Sequence, residues 1–442
     1  MTAFDALFVP AELRRAVSGR SWLEAMLETE RALAAAGATV GLVPEPSVDA
    51  IASACSDADA YSWDGLLDDG RAVGNPAEPL VRALRARVGE EHERFVHLGA
   101  TSQDVLDTAA MLVARSAVDL VLAHVDAAAD ACAALAREHR QTPMAARTLL
   151  QQAVPTTFGL VAAGWLVSLL DARERLADVA ESGLAVQLGG AAGTLSALGD
   201  EGVPVVDALA RELGLAVPTL PWHTNRVRLA ELGAALATVA GACGKIGLDV
   251  VLLSQTEVGE VREAAGGGSS AMPQKRNPVK ATLARSCGAL AAAHAFVLQH
   301  GLAQEHQRAA GAWHAEWEAL CGALMFAGGA AAAVAESLGG LAANAARMRA
   351  NLDATGGLVL SERIAAALAE RLGRGAAHEL VAAAAEEPSF RDALLADPRA
   401  GLDAEELDGL LDPATYLGSA GAFVDRALAR YDAETAGRKG GS

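Results

Sequence analysis

Residues 266–278 read Gly-Gly-Gly-Ser-Ser-Ala-Met-Pro-Gln-Lys-Arg-Asn-Pro, a stretch crowded with groups suited to an anion. Consecutive glycines free the backbone to line up N–H groups toward a negative charge, and to move as a lid. Lys275 and Arg276 follow at once. Asn277-Pro278 predicts an N-cap with a first-turn proline, so a helix N-terminus would point its positive end the same way. A carboxylate seated here would meet backbone donors, two cations and a helix dipole. The same field lowers the cost of ionising a serine hydroxyl, which draws attention to Ser269 and Ser270. The alternative use of the stretch is a flexible connection between helices, ended by a proline stop.

Other chemistries drop out. A nucleophile elbow fails because Gly267-Gly268-Ser269-Ser270-Ala271 lacks the closing glycine of G-x-S-x-G and follows no strand pattern. Gly241-Ala242-Cys243-Gly244-Lys245 is too short for a P-loop, and Gly189-Gly190 follows no strand, so nucleotide folds are excluded. The five cysteines, Cys55, Cys132, Cys243, Cys287 and Cys321, lie at least 34 residues apart, which is neither metal nor redox spacing. They read as small buried hydrophobes, and no metal site is expected. With 36 basic against 55 acidic side chains, the net charge of −19 argues against nucleic acid as a partner. A small anionic ligand stays possible where cations cluster locally. Residues 1–10 carry Asp5 and neither a basic start nor an apolar core, which predicts a cytoplasmic protein. The longest uncharged run, Thr148 to Leu170, is too polar at its start to span a membrane and reads as a buried helix with a polar entry.

The loop from Gly268 to Pro278 resembles the G-S-S-x-M-P-x-K-x-N-P signature of the fumarase/aspartase superfamily, whose members eliminate a group from the carbon beta to a carboxylate. Two more blocks resemble that superfamily's, in the expected order. His97-Leu98-Gly99-Ala100-Thr101-Ser102-Gln103-Asp104 is similar to H-x-G-x-T-S-x-D, and Arg147-Thr148-Leu149-Leu150-Gln151 is similar to R-T-x-x-Q. Pro221-Trp222-His223-Thr224, Gln304-Glu305-His306-Gln307-Arg308, Trp313-His314-Ala315-Glu316-Trp317-Glu318 and Leu411-Asp412-Pro413-Ala414-Thr415-Tyr416-Leu417-Gly418 look like blocks of the bacterial 3-carboxy-cis,cis-muconate cycloisomerases. The resemblance implies lactonisation of a small polycarboxylate without metal or organic cofactor. It also implies a homotetramer in which each active site draws the three main blocks from three subunits. A lyase releasing fumarate from an amino- or nitro-succinate, and a non-catalytic crystallin-like homologue, are the competing implications.

In such chemistry negative charge collects on a substrate carboxylate as the neighbouring carbon gains or loses a proton, so stabilising that aci-carboxylate is the main task. By resemblance, Lys275 and Asn277 would hold it. Arg147, Thr101, Ser102, Thr148, Gln151 and Gln152 would grip the other carboxylates, with His97, His223, His306 and Arg276 as further substrate contacts. Ser269 would be the carbon acid/base, and it would need the loop N–H groups, Lys275 and exclusion of water to act as an alkoxide. Arg226, Arg228 and Arg308 could neutralise a tricarboxylate or serve in ion pairs on helix surfaces. One departure matters. Many relatives read R-T-H-x-Q and use that histidine as or near the general acid, whereas Leu149 stands here, and Gln152 can hydrogen-bond but not titrate. A carboxylate leaving group needs less acid help than an amine, so the absence favours lactone chemistry.

The elements that must position these groups are helical. Ser21 with Glu24 reads as a capping box, followed by an apolar stripe of Leu23, Met26, Leu27, Ala32 and Leu33 up to Gly37. Long segments without internal proline and rich in Ala, Leu and Val predict helices over 104–139, 155–182, 226–264, 278–299 and 312–351, while strand signals are weak. Several of these are apolar on more than one face, which predicts packing against other subunits. The fold class expected is all-α, with an N-terminal helical domain over 1–104, a central long-helix bundle over 105–351 and a small helical domain over 352–442.

Overall fold

The structure is a computed structural model that describes residues 3–264, 267–268, 272 and 274–440. It is dominated by helices, of which the longest are Ser102–Glu138, Phe158–Gly183, Val227–Leu253, Val279–His300 and Ala312–Leu338. At about 1.5 Å per residue the longest runs roughly 55 Å. The chain divides into two compact units. One holds the residues up to Val125 with Ala172–Lys245 and Leu283–Ala333; the other holds Asp126–Asp171, Ile246–Thr282 and the residues from Val334 on.

In the first unit, helix Gly19–Thr39 turns Trp22, Leu23, Met26, Leu27 and Leu33 inward and packs against helix Gly202–Leu213. Its cap is one turn earlier than expected. Ser18 Oγ accepts the Ser21 N–H at 3.3 Å, while Ser21 Oγ donates to Arg15 O at 2.7 Å and Glu24 pairs with Arg20. The apparent Ser21–Glu24 box therefore lies inside the helix. The opening half of Ser102–Glu138 buries Val105, Leu106, Ala109, Val113, Ala117 and Val121, which explains why it reads as apolar on every side.

In the second unit, three expected helices are cut short by small strands. Pro143–Thr148 (β1) and Gln151–Thr157 (β2) form an antiparallel hairpin, irregular between Ala145 and Arg147, where a buried helix was expected. The following helix begins only at Phe158, where Thr157 Oγ1 accepts the Leu160 N–H at 3.0 Å. Helix Val227–Leu253 stops eleven residues before the expected end; the chain turns at Gly259 (φ 62°), and Val261–Arg262 pairs with Ala342–Ala343. That second strand occupies the gap after Leu338, before helix Ala345–Asp353. Farther on, Ile364, Leu368, Leu380, Phe390, Leu394 and Leu407 form a small core of their own.

Candidate active site

In the first unit the block from His97 to Asp104 makes the entry to helix Ser102–Glu138. His97 (φ 61°) and Gly99 (φ 73°) take left-handed backbone, and Asp104 in the first helical turn accepts the Thr101 N–H at 3.0 Å. The same carboxylate accepts the N–H groups of Gly189 and Gly190 at 3.0 and 2.9 Å, and lies 2.6 Å from His223 Nε2. Side chains are excluded at both glycines: a Cβ on Gly189 would sit 2.6 Å from His223 Cε1, and one on Gly190 2.7 Å from Gly99 O. Asp104 thus ties three loops together and leaves Thr101 and Ser102 half-buried at the helix entrance. His223, assigned above to substrate, is only 4% exposed and is spent on this knot.

Beneath it lies a charged layer that the sequence reading placed elsewhere. Arg226 is buried, neither on a helix surface nor open to a ligand. Its guanidinium donates to Asp107 at 2.8 and 3.0 Å and to Glu316 at 2.6–3.2 Å, with its plane over the Trp222 ring. Trp313 Nε1 and Gln103 Nε2 complete the shell of Asp107, and Gln304 Nε2 that of Glu316. Burial pulls the Arg226 guanidinium down, and the two carboxylates more than reverse this, so it stays charged. Burial pushes the Glu316 carboxyl above its usual range. Trp313 and Trp317 pack edge to face at 4.9 Å, as their spacing on one helix predicts. Arg308 donates to Gly190 O, and Thr224 Oγ1 to His306 O at 2.9 Å, which brings the exposed His306 loop onto the same cluster.

In the second unit, Thr148 and Gln151 are the last pair of the hairpin, both exposed. Between them stand Leu149 (φ 51°) and Leu150 (φ 65°), 97% and 74% exposed, two apolar residues in a conformation usually left to Asn and Gly. Arg147 forks onto Glu260 at 2.9 and 2.7 Å, and Asn351 Nδ2 donates to the same carboxylate at 2.7 Å. Gln152 Nε2 donates to Asn351 O at 3.1 Å. These two block residues hold the hairpin in place.

The signature loop is closed at its base, where Gly267 pairs with Asn277 and Gly268 with Arg276. Lys275, Arg276 and Asn277 line a cleft of about 1020 Å³ with Arg262, Gln255 and Gln274. Ser269, the expected carbon acid/base, and Ser270 lie outside the described residues. The helix N-terminus differs from expectation. Asn277 belongs to the strand pair, Pro278 O accepts the Thr282 N–H, and the N–H groups of Lys280 and Ala281 donate to Glu263 at 3.2 and 2.8 Å. Glu263 is buried, with Ser337 Oγ also donating to it at 2.6 Å. A resident carboxylate already occupies that dipole, so anion binding in the cleft rests on the side-chain cations. Among the described residues no group of His, Cys, Asp and Glu is arranged to hold a metal ion.

Residues 10–291 match the family described as Lyase, and residues 357–427 the one described as adenylosuccinate lyase C-terminus. A 3-carboxy-cis,cis-muconate cycloisomerase of Bradyrhizobium diazoefficiens is 47% identical over 444 residues, covering 97% of this chain and 98% of that protein. A nitrosuccinate lyase of Streptomyces davaonensis is 48% identical over 438 residues, covering 94% of this chain and 92% of that protein. The crystal structure of the 3-carboxy-cis,cis-muconate lactonizing enzyme from Pseudomonas putida matches with a TM-score of 0.92 at 43% identity, covering 98% of this chain and 99% of that one.

Proposed function

The chain belongs to the lyase family of the fumarase/aspartase superfamily, and on that premise we propose that it interconverts 3-carboxy-cis,cis-muconate and 4-carboxymuconolactone in protocatechuate breakdown. The observation that carries the choice of substrate is the cleft around the signature loop, where Lys275, Arg276 and Arg262 gather in an otherwise acidic protein. Three cations suit a tricarboxylate. In the lactonising direction a substrate carboxylate oxygen adds to the diene, the electron pair collects on a neighbouring carboxylate, and the carbon between them is protonated. Lys275 and Asn277 hold the developing aci-carboxylate, Ser269 carries the proton, and Thr101, Ser102, Thr148 and Gln151 orient the remaining carboxylates. His97 and His306 are proposed, by the same resemblance, as further substrate contacts.

The assembly proposed is a cytoplasmic homotetramer with active sites shared between subunits. In support, only 33% of the most apolar window of Val279–His300 and 44% of that of Val227–Leu253 are buried within one chain, and Phe296 is 69% exposed. Incubation with 3-carboxymuconate should bleach the diene's ultraviolet absorbance; no loss at high enzyme concentration would end this reading. The second reading is elimination from nitrosuccinate, favoured by the 48% identical relative. Release of fumarate and nitrite, with silence toward the muconate, would establish it instead.

A further inference from the structure

Two arginines expected to meet substrate are already committed. Arg147 forks onto Glu260 at 2.9 and 2.7 Å, and Arg226 is buried between Asp107 and Glu316. The signature string itself provides Lys275 and Asn277, which serve the carboxylate beside the reacting carbon. A substrate with further carboxylates needs a cation that this string does not specify.

We propose that Arg262 is the specificity-determining residue of the cleft, its guanidinium taking the carboxylate that separates a tricarboxylate from a dicarboxylate; the inference rests on the lactonising reading above. Arg262 is exposed and lines the same cleft as Lys275, Arg276 and Asn277. Among the described lining residues the one acid is Glu263, and its carboxylate is taken. Glu263 Oε1 accepts the Ala281 N–H at 2.8 Å and the Ser337 hydroxyl at 2.6 Å, and Oε2 accepts the Lys280 N–H at 3.2 Å. None of Arg262, Lys275 and Arg276 forms an ion pair with a described residue, although the chain carries 55 acids. Like charges gathered in this way repel, and a polyanion seated among them offsets the repulsion.

Three contacts fix where Arg262 stands. Val261–Arg262 pairs with Ala342–Ala343, the Ala264 N–H donates to Gly340 O at 3.1 Å, and Glu263 fastens the strand to the helix beginning at Val279. A Cβ on Gly340 would lie 2.8 Å from that of Ala264, so the approach of these segments needs glycine there. Successive residues of a strand leave on opposite faces. Val261 and Glu263 are buried, which turns Arg262 between them outward onto the cleft. A guanidinium on an anchored strand is held ready for a bidentate grip, and little freedom remains to be lost when a carboxylate arrives. Arg276, by contrast, belongs to the strand pair at the base of the signature loop, beside the groups proposed for the reacting carboxylate.

The test compares wild type, R262Q and R262K, with R276Q as control, in turnover of 3-carboxymuconate and in calorimetric binding of two inert acids, propane-1,2,3-tricarboxylate and succinate. R262Q should raise KM about 10–100-fold with kcat within about threefold, because the extra carboxylate is held alike in ground and transition states. It should weaken the tricarboxylate by a similar factor and succinate by no more than about twofold, the effect of a charge that succinate does not touch. R262K, a point charge without the fork, should fall between wild type and R262Q. R276Q should weaken both acids alike. Circular dichroism and sedimentation of the four proteins should coincide. Wild type that does not prefer the tricarboxylate, equal weakening of both acids by R262Q, or a fall in kcat with KM unchanged overturns the role of Arg262 while the substrate assignment stands. Wild type silent toward 3-carboxymuconate, with tricarboxylate affinity alone lost in R262Q, overturns the lactonising reading and supports the role of Arg262.

Discussion

The guanidinium of Arg147 closes on Glu260 with two parallel hydrogen bonds, at 2.9 and 2.7 Å, and the carboxylate it grips has no exposed surface of its own. This arginine anchors the hairpin to the strand that leads into the signature loop. Its partner would be stranded by truncation, so Arg147→Ala should cost about 3–5 kcal/mol in urea unfolding. Arg147→Lys, unable to reproduce the fork, should fall between wild type and alanine. A tenfold rise in KM without loss of stability would instead make Arg147 a ligand for substrate.

Arg226 lies between two buried acids, Asp107 and Glu316. Arg226→Met leaves those carboxylates facing each other without a cation, and should destabilise by about 3–5 kcal/mol near neutral pH. The loss should shrink on acidification. Burial already raises the Glu316 carboxyl, and without Arg226 it rises further, so the folded variant takes up a proton at a pH where the unfolded chain does not. Melting temperatures from pH 8 to pH 5 should therefore converge on wild type. A constant gap would mean that packing, not charge, holds this layer.

Burial holds the thiols of Cys243 and Cys287 up to about 12, and that of Cys321 to about 11. Thiolate, not thiol, reacts, so native protein at pH 8 should consume Ellman's reagent at these positions orders of magnitude more slowly than a free cysteine. All five thiols should react at once in denaturant. Rapid native labelling at Cys243 or Cys287 would show that the helices carrying them open.

The three blocks proposed to bear the chemistry were legible because each is a local string, and the long helices were legible from composition. What escaped was whatever a distant partner decides. Glu30 meets His97 across 67 residues, Arg226 meets Glu316 across 90, and Arg147 meets Glu260 across 113, so no window of sequence contains both members. Glu263 is nearer in sequence, 17 and 18 residues from the Lys280 and Ala281 N–H groups it accepts, but the chain between them must fold back before its claim on the N-terminus of helix Val279–His300 can displace the anion expected there. Asp104 and Glu316 stood inside quoted blocks, and their buried setting in apolar helices was the one available hint. The hairpin escaped for a different reason: its turn lacks Asn and Gly, so nothing local announced it.

That turn yields the last prediction. Left-handed backbone costs an ordinary residue about 1–2 kcal/mol, and Leu149 and Leu150 both incur it while exposing apolar surface to solvent. Asn-Gly at these positions should relieve the strain and stabilise the hairpin by roughly 1–3 kcal/mol, read as a higher denaturation midpoint. If the pair served structure alone, the variant would be a better protein in every respect. The tip joins Thr148 to Gln151, however, and strain of this kind persists where function over-determines the backbone. The Asn-Gly variant should therefore gain stability and lose at least about tenfold in kcat/KM toward 3-carboxymuconate, the trade expected of an active-site element. Gain in stability with full activity would show that the leucines are dispensable to the reaction.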